Sequence, residues 1–172
     1  MKLIRLNKSD GTWDELNSQW SDQCNDYQED FESYASASLS TLANECDEGD
    51  ADLDTGVFAL QDEGGVFHSA CFLNCTFLKG YTGKVLRVRH LVLSPYYDFE
   101  DLELEDYAIT LAHAFSAIFE ISNGTLNSQH LKIHYRSPYD RTFFAAFALT
   151  MKNSSEFKSV ESKGMWLHIT KA

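Results

Sequence analysis

Between Ser9 and Leu78 this sequence contains no lysine and no arginine, against 16 aspartates and glutamates. That stretch has nothing with which to grip nucleic-acid phosphates, so direct binding to DNA or RNA is not expected. The other 10 acids share the chain with all 14 bases, for a net charge of -12. Proline is nearly absent, with two in 172 residues, and no Pro/Gly/Ser-rich linker divides the chain. We therefore expect one domain over 1–172. No apolar run of about 18 residues exists, which excludes a membrane-spanning helix. MKLIRLNKSD has no apolar signal core and no small-residue cleavage site, so a cytoplasmic protein is expected. G-x-S-x-G, P-loop and H-E-x-x-H patterns are all missing. No C-x-x-C occurs among Cys24, Cys46, Cys71 and Cys75. Cys71 and Cys75 would lie about 13 Å apart along a strand, too far for a disulfide. We read four buried free thiols and no metal site.

What is present is apolar and acidic material in quantity. With 44% hydrophobic and 13% aromatic residues the chain can bury a full core. Its acidic half suits a solvated surface, a basic protein partner or an amine substrate. Asn44 to Thr55 places six acids in twelve residues. It lacks the glycine and the final glutamate of a calcium-binding EF-hand loop, and we read it as a solvated acidic loop.

Hydrophobic periodicity sets the element order. Met1 to Asn7 alternates as a short strand. Thr12-Trp-Asp-Glu15 has the form of a capping box. Trp13, Leu16, Trp20, Tyr27, Phe31 and Tyr34 then follow helical spacing. Gly56 to Gln61, Val66 to Leu78 and Val85 to Leu93 read as an antiparallel meander, the first two joined by the turn Asp62-Glu-Gly-Gly65. Asp98 to Asn123 reads as one helix, with Leu104, Ala108, Leu111, Phe115, Ile118 and Ile121 on its buried face. A strand at His130 to Arg136, a helix at Arg141 to Lys152 and two short strands complete the chain.

The stretch from Arg87 to Asn123 organises this order. A strand there ends at Leu91-Val-Leu-Ser-Pro95 and leads into a helix that begins among Asp98, Glu100, Asp101, Glu103, Glu105 and Asp106. The order as a whole, with the strand end Leu91-Val-Leu-Ser-Pro95, resembles the GNAT N-acetyltransferase superfamily over nearly the whole chain. The resemblance implies an α/β (α+β) fold with a central mixed, mostly antiparallel sheet flanked by helices. It also implies an acetyl-CoA pyrophosphate loop of the pattern Q/R-x-x-G-x-G/A. By the family's spacing those three positions fall on Asp98, Asp101 and Glu103, and none matches. Carboxylates there would crowd and repel a diphosphate, at roughly 1 kcal/mol per charge pair at about 4 Å in water and more near a protein surface. They would also satisfy the helix N-terminus themselves.

If CoA binds, the resemblance implies Leu91, Leu93 and Ser94 as its contacts. The family's general-acid tyrosine maps near Phe144 or near Lys152, according to which end is counted from. Tyr135 and Tyr139 lie close by on the strand and its turn. For a general base, His90 is the first candidate and His134 on the neighbouring strand the second. Arg87, Arg89, Lys132, Arg136 and Arg141 would neighbour one another, either to bind an anion or to pair with the acidic surface; we expect the pairing.

Three readings of function follow. The first is a GNAT-fold protein without standard acetyl-CoA binding, with no cofactor expected, acting as an acidic interaction or regulatory module for a basic partner. The second is an acyl-CoA-dependent N-acyltransferase with an atypical cofactor site, acting on an amine. The third is an acidic mimic of nucleic acid that inhibits a DNA-binding protein. Strand edges near the C-terminus leave room for a homodimer.

Overall fold

A computed structural model describes residues 1–46, 52–135, 138–152 and 154–172, the side chains of 138–140 excepted. Among the described residues, seven strands form one sheet flanked by helices. In chain order the strands are β1 (Lys2–Leu6), β2 (Thr55–Gln61), β3 (Phe67–Phe77), β4 (Lys84–Leu93), β5 (His130–His134), β6 (Phe157–Lys163) and β7 (Trp166–Lys171). They lie side by side as β1-β2-β3-β4-β5-β7-β6. The expected meander β2–β3–β4 is there, and β1 adds to it antiparallel. The turn between β2 and β3 closes as read: Gly65 takes φ 85, and the Asp62 carboxylate accepts the Val66 N–H at 2.9 Å. Only β4 and β5 run parallel, over Val85–Val88 against His130–Ile133.

The helices are α1 (Thr12–Asp26), α2 (Phe31–Ser38), α3 (Ser40–Glu45), α4 (Pro95–Phe99), α5 (Leu104–Asn123) and α6 (Pro138–Met151). Helices α5 and α6 cover one face of the sheet. There Phe115, Ile118, Phe144, Ala148 and Met151 pack on Leu73, Leu86, Val88, Leu131, Ile133 and Leu167. Helices α1 to α3 cover the other face, where Trp13, Leu16, Trp20 and Leu42 pack on Leu6, Val57, Ala59 and Phe72. This second layer reaches Val92 on β4 but takes in nothing from β5, β6 or β7. The four cysteines are buried free thiols, as expected.

Three local expectations are corrected. The capping box does not form: Gly11 is the N-cap of α1, and the Asp10 carboxylate instead accepts the Thr12 N–H at 3.0 Å and its hydroxyl at 2.7 Å. The aromatic helix does not run on to Tyr34. Gln28 takes φ 59 and the Glu29 N–H reaches back to the Cys24 carbonyl at 2.9 Å, a Schellman-type stop. Asp30 then caps α2 by accepting the Ser33 N–H.

The third correction concerns the acidic stretch. The single helix from Asp98 is two helices. Pro95 starts the short α4, while Glu100 and Glu103 have extended backbones, so α5 begins only at Leu104. The buried residues of α5 are Thr110, Ala114, Phe115, Ala117, Ile118 and Ser122, so only Phe115 and Ile118 of the expected face are buried. Leu104, expected in the core, is 81% exposed. Ile118→Ala should therefore cost about 2–5 kcal/mol of unfolding free energy, and Leu104→Ala no more than about 0.5 kcal/mol. Urea denaturation of the two variants checks this; equal losses would overturn the placement of α5.

Candidate functional site

The site is built around the far end of β4. Past Val88 and Ile133 the parallel ladder stops, yet β4 continues to Leu93 beside β3. In that continuation His90 and Leu91 together stand opposite the single residue Cys71, because Phe72 pairs with Arg89 and Ala70 with Val92. This is a β-bulge, and His90 carries it with φ 51, a left-handed conformation uncommon for a residue with a side chain. The bulge bends β4 at the point where it parts from β5.

His134 ends β5, its ring edge-on to Trp166 at 4.6 Å. His90 and His134 are not cross-strand neighbours, since the register leads from Val88 and Ile133 to Arg89 and His134. Tyr139 lies in the first turn of α6 rather than in a turn after β5, and its side chain is outside the described residues. Phe144, at one of the two family general-acid positions, is buried and stacked on Tyr135. The Tyr135 hydroxyl donates to Ser162 at 3.2 Å.

The backbone of the proposed CoA contacts is largely engaged within the protein. The Leu93 carbonyl accepts the Tyr34 hydroxyl at 2.8 Å, and the Ser94 N–H donates to the His68 carbonyl at 3.0 Å. Leu91 is half-buried against the α5–α6 side of the core. Beyond them α4 is tied down through Tyr97, a residue the sequence did not single out. The Thr110 hydroxyl donates to the Tyr97 hydroxyl at 2.8 Å, and the Tyr97 hydroxyl meets His68 Nδ1 at 2.9 Å. His68 Nε2 in turn meets the Asp62 carboxylate at 3.1 Å. With the His68 proton on Nε2, every donor in the chain Thr110–Tyr97–His68–Asp62 finds an acceptor. The arrangement orders α4 across β3 and α5, and burial pushes the Tyr97 phenol up, keeping it neutral.

The acidic run then faces outward. Asp101, Glu103, Glu105 and Asp106 are exposed, and they form no ion pair or side-chain hydrogen bond among the described residues. Glu100 accepts the Tyr27 hydroxyl at 2.5 Å and so joins α1 to this segment. Glu103 is the N-cap of α5, with no side-chain cap.

On the sheet face that α1–α3 leave uncovered, polar side chains line up across the strands. Register places Asn74, Arg87, Lys132, His168 and Glu161 in one row. Arg87 Nε donates to the Asn74 side-chain oxygen at 3.2 Å. Lys132 Nζ lies 4.7 Å from the Trp166 ring centre and 6.0 Å from that of Tyr81. The Tyr81 hydroxyl meets His168 Nδ1 at 2.8 Å. Arg89 comes next to Arg87 on this face, across from Phe72. Burial, then Arg87 and Arg89, push the Lys132 amine below its ordinary value. Burial, then Arg89, do the same to Arg87. Of the bases expected to pair with the acidic surface, Arg87, Arg89 and Lys132 have no carboxylate partner among the described residues, and most of the acidic loop lies outside those residues. Arg141, on α6, is exposed, and Arg136 lies outside the described residues.

The Asp62 link sets a pH dependence. The Val66 N–H, then His68, hold the Asp62 carboxyl below its ordinary 3.8. A lowered carboxyl contributes stability that is complete above its unfolded value and is lost as pH falls through the folded one. Asp62→Asn should thus be less stable than wild type at neutral pH, with the gap closing below about pH 3.8. Urea unfolding across that range measures it; a gap that stays constant into acid would show that Asp62 acts only by packing.

No family model matches the sequence, and no curated protein matches it. Two solved structures of proteins provisionally described as acetyltransferases follow a similar chain course. The first is 11% identical, with a TM-score of 0.48, over 95% of this chain and 98% of that one. The second, from Exiguobacterium sp. 255-15, is 13% identical, with a TM-score of 0.45, over 99% of this chain and 92% of that one. The chain's own element order and strand pairing give the architecture that the resemblance implies, a mixed and mostly antiparallel sheet flanked by helices.

Proposed function

We propose that this chain is a binding module on a GNAT-like scaffold that engages a cationic protein partner through the acidic start of α5, without standard acetyl-CoA binding. One observation carries the reading. At the junction where the resemblance puts a glycine loop for a diphosphate, four exposed carboxylates stand without an ion-pair partner among the described residues: Asp101, Glu103, Glu105 and Asp106. Glycine in such a loop lets backbone N–H groups close on phosphate oxygens. Here the helix start instead meets its own carboxylates, which complement its dipole and repel a second anion. Exposed charges of one sign also steer a partner of the other sign.

A second reading, an N-acyltransferase acting on an amine, is favoured by a different observation. His90, a residue type suited to proton transfer, sits on bulged left-handed backbone where β4 and β5 part. In that reading acetyl-CoA would supply the acyl group, and His90 would take the proton from the attacking amine.

Thermal unfolding with and without millimolar acetyl-CoA or CoA separates the two. On the binding-module reading neither ligand moves the midpoint. Titrated with poly-lysine, the wild type should bind with an affinity that falls steeply as salt rises. The variant carrying Glu103→Gln, Glu105→Gln and Asp106→Asn should lose most of that binding. If the nucleotide were present at about a hundred times its Kd, a rise of several degrees would be seen. Such a rise, abolished turnover in His90→Ala, or poly-lysine binding indifferent to the triple variant would sink the binding-module reading.

A further inference from the structure

Among the described residues the three bases on the open sheet face have no carboxylate partner, and that is unusual in a chain with 26 acids and 14 bases. Arg87 and Lys132 are register neighbours on parallel strands, about 4.8 Å apart at the backbone. Arg89 follows Arg87 by two residues, roughly 6–7 Å along the same face. All three are half-buried. Their guanidinium and ammonium groups have lost part of their hydration and stand among like charges, which disfavours the unliganded arrangement. Glu161, a described carboxylate in this row, lies at its far end and pairs with Lys163 at 2.5 Å. Asn74 fixes Arg87 from one side, and the rings of Tyr81 and Trp166 flank Lys132 from the other. These partners hold the cations in place without neutralising them.

We propose that Arg87, Arg89 and Lys132 form an anion-binding site on the uncovered face of the sheet, and that it takes the phosphate group of a small, soluble phosphate ester. Three neighbouring cations match a phosphate dianion better than a single carboxylate. The arginine forks can each give two hydrogen bonds to phosphate oxygens, and the lysine adds a point charge. Tyr81 and Trp166 leave flat apolar surface beside the charge for the rest of the ligand. A nucleic-acid polymer fits poorly, because the chain around the patch carries a net charge of -12. This site does not rest on the binding-module reading above, and either can fail without the other.

The test is thermal unfolding of the full chain in inorganic phosphate against chloride at matched ionic strength, for wild type, Arg89→Gln and Lys132→Gln. In wild type, phosphate at about a hundredfold excess over its Kd should raise the midpoint by about 5–10 °C. Both variants should lose most of that rise. In chloride both should melt at or above wild type, because each removes a charge from a repelling cluster; a purely structural role would lower the midpoint instead. Phosphate also stabilises proteins generally by exclusion from their surfaces. A rise of equal size in all three proteins would therefore overturn the proposal, as would no rise in wild type, or variants that melt well below it in chloride. Should one variant fail to fold, the other decides alone.

Discussion

The structure depends on a ladder of four residue pairs, Val85–Val88 against His130–Ile133. Among the described residues it is the only parallel contact in the sheet, and it joins the antiparallel unit β1–β4 to the antiparallel unit β5–β7–β6. Parallel neighbours cannot be linked by a tight turn, so the chain must cross over between them. Helix α5 makes that crossing and lies along one face. Because the ladder is short, β4 and β5 part beyond it, and the bulge at His90 falls at that parting. Both candidate histidines, the two arginines of β4 and the start of α5 owe their positions to where those four pairs stop.

The two sheet faces are unequal in a way that bears on function. One is closed along its whole width by α5 and α6. The other is closed only over β1–β3 and the end of β4, by helices drawn from the base-free first half of the chain. Three bases, Arg87, Arg89 and Lys132, stand on the half of the sheet that none of the described helices covers, while Asp101, Glu103, Glu105 and Asp106 stand at the start of α5.

Much of this was legible. Alternation in β1, the apolar runs of β2 and β3 and the Asp62–Gly65 turn marked the strands of the meander, and the apolar spacing of Trp13, Leu16 and Trp20 marked the face of α1. The polar row was also written in the strands, as Arg87 with Arg89, Lys132 with His134 and Trp166 with His168, each pair two residues apart. That spacing marks one face of a strand, and reading it across three strands together would have found the uncovered surface. Helix ends were less legible. An acid-rich segment favours a helix start anywhere within it, so nothing local distinguished Asp98 from Leu104 as the first residue of α5. The hydrogen-bonded chain Asp62–His68–Tyr97–Thr110 joins four separate elements and has no sequence signature at all.

By itself the sequence determined which segments are strands and helices, which side of most of them is apolar, and that the first half of the chain repels anions. These follow from period, composition and charge, which are properties of neighbours in the chain. Only the tertiary structure decided which strands lie together, where the parallel ladder ends, that His90 carries a bulge, and that Arg87, Arg89 and Lys132 share one sheet face with no carboxylate partner among the described residues. The reason is physical: electrostatic and hydrogen-bond partners are chosen by distance through space, and strand register sets that distance between residues that are far apart along the chain.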